Sequence, residues 1–171
     1  RAEATAPLPP SRVDGAAVEQ EPAAWWRAVE EVLDALLPRL PRADVAAVAV
    51  DGTSGSVLIT DGAGEPLGPA LMYNDNRAVA EAERIQAIAP PASAAHGTGS
   101  GLAKLLWLLH HVDPQPGRVH TQADWITARL AGRTDAADAN NCLKLGWDPV
   151  TGHWPDWIEG LGVPGRILPP V

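Results

Sequence analysis

The chain has 171 residues, is 46% hydrophobic and carries a formal net charge of -8, with one cysteine, Cys142. That length and composition suit one globular domain with its own core and exclude a disordered chain. The acidic balance, without a dense Lys/Arg cluster, argues against nucleic acid; no apolar run approaches the ~20 residues of a membrane helix; and a lone thiol without a signal-like segment points to a reducing, cytoplasmic setting.

In chain order, Pro7, Pro9 and Pro10 limit regular structure in residues 1–20, with a short edge strand expected near Ala2–Ala6. Pro22 suits a first helical position, and Trp26, Val29, Leu33, Leu36, Leu37 and Leu40 recur at helical spacing until Pro38 and Pro41 end the pattern. Val45–Val50 and Val57–Thr60 read as two strands of a hairpin joined by the small-residue loop Asp51–Ser56. The turn Asp61-Gly62-Ala63-Gly64 and a third apolar run, Ala70–Tyr73, lead to the polar cluster Asn74-Asp75-Asn76-Arg77.

Val79, Ala82, Ile85 and Ile88 mark a second helix with Glu81, Glu83 and Arg84 on its wet side, stopped by Pro90-Pro91. After the Gly/Ser-rich loop His96–Gly101, Leu102, Leu105, Leu106 and Leu109 mark a third, closed before Pro114, with Lys104 read as a solvated charge. Thr121 and Asp124 form a capping box for a fourth helix carrying Trp125, Ile126 and Leu130 and ending at Gly132. A polar loop (Thr134–Asn141), a short apolar run (Cys142–Trp147), a turn (Asp148–Gly152), a last helix from Trp154 to Gly160 or Gly162, and a linker-like tail (Gly165–Pro170) follow. Trp25, Trp26 and Trp107 fall in helical patterns and read as core. Strands early and helices late give an α/β or α+β class.

The chemistry-bearing stretch is the loop Asp51–Ser56. Glycines let a backbone approach a ligand closely, and Thr53 and Ser54 hydroxyls both donate and accept, as a polyhydroxylated ligand requires. Equally, Ser and Thr in a loop can satisfy their own backbone. Asp51 can face substrate or Mg²⁺, or close an Asx-type turn; Asp75 can face a ligand, pair with Arg77 or cap the following helix. Gly99 and Ser100 open the third helix, where free amides can line a pocket, and Asp138, Asn140 and Asn141 are read as ordering their own loop. His96, His110, His111, His120 and His153 show no zinc spacing, and the sequence holds neither a Walker-type phosphate loop nor a G-x-G-x-x-G after a strand.

The motifs also stand in a particular order. Glu19-Gln20-Glu21-Pro22 leads into Trp25-Trp26, then come the Gly/Ser loop and Tyr73-Asn74-Asp75-Asn76-Arg77. Ser100-Gly101-Leu102-Ala103-Lys104-Leu105-Leu106-Trp107, Ala123-Asp124-Trp125, Leu130-Ala131-Gly132, Asp138-Ala139-Asn140-Asn141, Trp154-Pro155-Asp156-Trp157 and Ile167-Leu168-Pro169 follow. Over nearly the whole chain this series resembles the N-terminal domain of the FGGY family of carbohydrate kinases, especially pentulose kinases acting on xylulose or ribulose.

The resemblance implies a ribonuclease H-like α/β domain of the actin/hexokinase superfamily, here incomplete. In that family the sugar is held mainly by the first of two such domains, and ATP with Mg²⁺ mainly by the second. The family's opening hairpin, with its Asp-x-Gly-Thr phosphate loop, is expected before Arg1, and the second domain, with the general base, after Val171, so the chain is expected to be an internal fragment. Asp51-Gly52-Thr53-Ser54 itself resembles the phosphate loop, but it follows the Trp25-Trp26 helix and lacks one residue between Asp and Gly. It is therefore assigned to a later hairpin whose loop contacts sugar. On this reading Thr53, Ser54, Gly55, Asp51 and Asp75 contact a small sugar substrate, while no catalytic or metal-ligating residue is expected within the chain. The 171 residues are expected to be inactive alone; the alternative is a catalytically inactive sugar-binding or assembly module. An unpaired sheet edge in such a fragment invites association into a homo-oligomer.

Overall fold

The computed structural model describes residues 2–112 and 117–171. Among them, strands β1 (Arg12–Asp14), β2 (Ala17–Gln20), β3 (Val57–Ile59), β4 (Ala70–Leu71) and β5 (Val119–Thr121) form one sheet in the order β1-β2-β4-β3-β5. Neighbouring strands are antiparallel, with Val57 opposite both Leu71 and Thr121. Helices α1 (Pro22–Leu36), α2 (Val79–Ile88), α3 (Gly101–His111) and α4 (Gln122–Ala131) cover the sheet, followed by short α5 (Ala139–Cys142) and α6 (Asp156–Gly160).

β3 shows why the layers form. Successive strand residues point to opposite faces. Val57 and Ile59 enter a core with Leu71, Ile85, Leu102, Leu105, Leu106 and Val119, beneath α2 and α3. Leu58 enters a second core with Val18, Ala70, Met72, Trp25 and Trp125, beneath α1 and α4. A strand covered on both faces must be apolar throughout, so Val-Leu-Ile runs without alternation. Each fully buried side chain of this size contributes about 2 kcal/mol. Trp25 and Trp125 meet edge to face at 6.1 Å, and the Trp125 indole N–H donates to the Gly64 carbonyl at 3.1 Å, so this bulky pair is packed and its deepest polar tip satisfied.

The expected caps are present. Pro22 opens α1, the Thr121 hydroxyl accepts from the Asp124 amide at the start of α4, and Gly132 ends that helix at φ 66°. The Asp148 carboxylate accepts from the amides of Val150 and Thr151 and closes the expected turn.

Several expectations are corrected. Val45–Val50 forms no strand: β3, its expected hairpin partner, gives its two edges to β4 and β5, and Val45 and Val48 are 44% and 70% exposed. The hairpin is instead β3–β4, closed through Asp61, whose carboxylate accepts from the amides of Ala63 and Glu65. Ala2–Ala6 also forms no strand. The edge strand is β1, joined to β2 across Asp14-Gly15-Ala16, with Gly15 at φ 56°; Asp-Gly between short runs is a hairpin signal. β5 arises where only the cap of α4 was expected.

On α2 the inward face is Glu81, Ala82 and Ile85, while Val79 and Ile88 are exposed. Trp26 and Trp107 are only partly buried. The tail is no linker: Ile167 and Leu168 are buried, the Ala137 amide donates to the Pro170 carbonyl and the Trp154 indole to that of Pro169. Pro114, expected to close α3, lies outside the described residues. No helix among the described residues is long and apolar enough to cross a membrane.

Candidate functional site

Three segments converge at the α3 N-terminus: the loop 51–56, the stretch 73–77 after β4, and residues 97–100. Their meeting point is Lys104, which is fully buried, contrary to its expected place among solvated charges. Its ammonium donates to the carbonyls of Gly55 at 2.8 Å, Gly99 at 3.1 Å and Tyr73 at 3.2 Å, which uses all three of its protons. Burial pulls its pKa down to about 8, against the opposing pull of the Asp75 carboxylate and with help from the Lys144 charge.

Sequence spacing does place Lys104 on an amphipathic helix, but α3 between Leu102 and Leu109 is apolar on every side apart from this residue. A helix apolar all round is buried all round, and that signal was available.

The loop is held from within. The Asp51 carboxylate accepts from the Gly52 amide at 2.8 Å, the Thr53 amide donates to Gln122 Oε1 at 3.2 Å, and the Ser56 amide donates to the Thr53 carbonyl at 3.3 Å. Buried Ser56 accepts the Tyr73 amide on its hydroxyl at 3.0 Å and so links the loop to the stretch after β4. Gly55 is buried at φ 88°, and a Cβ there would lie 2.9 Å from the Gly99 carbonyl oxygen, so only glycine fits. Thr53 and Ser54 are left exposed.

The five residues expected to contact sugar lie in different environments. Asp51 and Thr53 stand on the rim of a groove of ≈ 800 Å³ whose walls include Trp25, Val29, Val50, Met72 and Ile126. Ser54 is exposed beside them but outside that groove, and Gly55 is buried beneath it. Asp75 is separate: it is fully buried, lies outside the groove, and accepts from the Val18 amide at 2.7 Å and from Arg77 Nε at 2.9 Å and Nη2 at 2.7 Å. Arg77 also pairs with Glu19 at 2.7 Å and lies 4.7 Å over the Trp107 ring, so its charge is fully engaged.

Gly99 and Ser100 form the helix start, where Ser100 accepts the Ala103 amide at 3.1 Å as cap. Asp138 accepts the amides of Asn140 and Asn141, and Asn141 donates to Asp124 at 3.0 Å, so this trio orders its own loop as expected. Residues to which sequence reasoning gave no site role are Lys104, Gln122, Asn76 and Thr98; the last two are joined by a 2.7 Å hydrogen bond from the Thr98 hydroxyl to Asn76 Oδ1.

Among the described residues no group of three or more His, Cys, Asp or Glu side chains is placed to hold a metal ion. The loop amides of Gly52, Thr53 and Ser56 bond within the chain and are not free to cradle a phosphate. What the site offers is hydroxyl and amide groups on a braced frame, which can match sugar hydroxyls.

Over residues 2–171 the chain matches the FGGY family of carbohydrate kinases, N-terminal domain. It is 32% identical over 185 residues to the xylulose kinase of Streptomyces rubiginosus, covering 100% of this chain and 37% of that protein. It is 31% identical over 166 residues to the glycerol kinase of Gloeobacter violaceus, covering 90% of this chain and 33% of that protein. The crystal structure of xylulose kinase from Rhodospirillum rubrum superimposes with a TM-score of 0.80 at 25% identity, covering 97% of this chain and 37% of that one. The chain thus spans about a third of the length of these relatives, and shares their actin/hexokinase-type α/β fold. It belongs to the FGGY family of carbohydrate kinases, as an N-terminal domain of that family.

Proposed function

We propose that this domain forms the sugar-binding wall of an ATP-dependent kinase that transfers the γ-phosphoryl group to a hydroxyl of a ketopentose, xylulose or ribulose. The observation that carries this reading is the convergence of three loops on one buried ammonium, which leaves Thr53, Ser54, Asn74 and Asn76 exposed at the surface. Phosphoryl transfer needs little covalent help from a protein and rests on positioning and charge. In this division of labour Thr53, Ser54 and the backbone at Gly55 orient the sugar, and Asp51 flanks them at the groove rim. Asp75 acts at one remove, through Arg77 and β2. ATP with Mg²⁺ and the general base come from a second domain of the same protein, and a phosphate-loop hairpin precedes this segment. The family's names include both xylulose and glycerol kinases; small residues around Gly99 and the Thr-Ser loop favour the ketopentose by size. Use of ATP and a free sugar fits a cytoplasmic setting.

The test is ATP-dependent phosphorylation of xylulose, ribulose and glycerol by the full-length protein. Turnover of a ketopentose in preference to glycerol is expected, with none from residues 1–171 alone. Preference for glycerol would overturn the substrate assignment, and turnover by the isolated domain would overturn the division of labour.

A further inference from the structure

Lys104 is unusual for the chemistry it satisfies. A buried ammonium is costly unless every proton finds an acceptor. Here the acceptors are three backbone carbonyls from three separate segments, Gly55, Tyr73 and Gly99, at 2.8 to 3.2 Å. Each is the chain neighbour of a polar side chain at the candidate site: Ser54 precedes Gly55, Asn74 follows Tyr73, and Thr98 precedes Gly99. Ser54 and Asn74 are exposed and Thr98 is half-buried.

We propose that Lys104 is a positioning residue for the sugar: without touching it, the ammonium fixes the relative places of Ser54, Asn74 and Thr98. The inference rests on the sugar-kinase reading of this site. Ser56 joins the loop to the stretch after β4, and Thr98 joins residues 97–100 to the same stretch through Asn76; among the described residues no other single side chain is seen to reach all three segments. The backbone at Gly55 cannot be held by packing of a side chain of its own, since it has none and sits at φ 88°.

The clamp has a direction in pH. Two charged groups face the ammonium: the Asp75 carboxylate from the stretch after β4, and Lys144 from the turn Leu143–Leu145. With its pKa near 8, Lys104 is mostly charged at pH 7 and mostly neutral at pH 10. A neutral amine keeps two protons, so one of the three carbonyls then faces a lone pair and its loop is released. The fold responds the other way. An unfolded lysine holds its proton to 10.5 while the buried one holds it only to about 8, so between these values the unfolded chain binds more protons and the Lys104 contribution to stability rises with pH. A weakening of sugar binding in that window without a falling melting temperature is the signature of a clamp rather than of a strut.

The experiment compares the full-length protein with its Lys104→Met variant, which fills the same space without a charge. The wild-type sugar KM is expected to rise between pH 7 and 10. The variant is expected to have a sugar KM raised about tenfold or more at pH 7, no pH dependence across that range, and an ATP KM near wild type. Hydrogen exchange at the amides of residues 53–56 and 98–100 is expected to quicken in the variant at pH 7. A folded variant with wild-type sugar KM overturns the proposal. If the variant does not fold, a wild-type sugar KM that stays flat from pH 7 to 10 overturns it. If no sugar is phosphorylated by the wild type, the kinase reading fails on its own, and unchanged exchange at these amides then refutes the clamp separately.

Discussion

Replacing Asp75 by Ala separates a substrate contact from a structural tie. The carboxylate accepts the buried Val18 amide of β2 at 2.7 Å and the Arg77 guanidinium at 2.7 and 2.9 Å. Without it the Val18 N–H has no acceptor, which costs about 1–3 kcal/mol, and a charge-assisted bond worth about 1.5–3 kcal/mol is lost from Arg77. The Arg77 side chain, 14% exposed, keeps only Glu19 and the Trp107 face. The sum is about 2.5–6 kcal/mol, which brackets the ~3–5 kcal/mol typical of breaking a buried pair by removing one partner. At about 2–4 °C per kcal/mol for a domain of this size, the melting temperature should fall by roughly 10 °C. Urea unfolding at pH 7 measures it, with the midpoint lowered and the slope unchanged. A loss below about 1 kcal/mol together with a severalfold rise in sugar KM would refute the structural role and put Asp75 against the sugar.

Other perturbations follow from the same geometry. Gly55→Ala forces a side chain onto a residue at φ 88° and brings its Cβ within 2.9 Å of the Gly99 oxygen. It should cost about 1–2 kcal/mol in backbone strain alone and weaken sugar binding; a thermal melt and a KM both at wild-type values would contradict this. Gly117→Ala places a Cβ 1.7 Å from the Thr60 carbonyl oxygen, backbone against backbone, so β3 and β5 cannot keep their register and a calorimetric scan should show a drop larger than for Gly55→Ala. His120 is buried with neither ring nitrogen partnered among the described residues, and burial with the nearby Arg118 charge pushes its pKa down to about 4. Between an unfolded value of 6.5 and about 4 the unfolded chain takes up the proton first, so stability is lost as pH falls through that window, by up to about 3 kcal/mol. His120→Leu should remove that share of the acid sensitivity, read as a smaller difference between urea midpoints at pH 7.5 and pH 4.5; an unchanged difference would show that the imidazole protonates freely in the fold.

Local signals in this sequence were the most legible. Pro22, the Thr121–Asp124 box and Gly132 act through their own neighbours, so their roles could be read directly and the helix limits followed. Val57–Ile59 was equally plain, because a strand buried on both faces is apolar throughout. Val45–Val50 carries the same kind of pattern but forms no strand, since pairing depends on which edges are free, and the edges of β3 go to its hairpin partner β4 and to β5, far along the chain. Asp75 and Lys104 show the same limit for the site. The Asp75–Arg77 pair was one of the readings open in the sequence, but the Val18 amide on Asp75, and the Gly55, Tyr73 and Gly99 carbonyls on a lysine read as a solvated charge, come together only in the fold. The Thr53–Gly55 loop was proposed from residue type together with the family resemblance, but the bracing that shapes it, through Gln122 and Ser56, depends on contacts no spacing rule reaches.

The crystal structure of the full-length protein with ribulose or xylulose bound is the sharpest measurement. Sugar hydroxyls are expected within hydrogen-bond distance of Thr53, Ser54 or the Gly55 backbone, with the Lys104 ammonium still on its three carbonyls. A well-ordered sugar bound elsewhere, with residues 53–55 facing only solvent, would contradict the assignment of this loop as the sugar-binding wall.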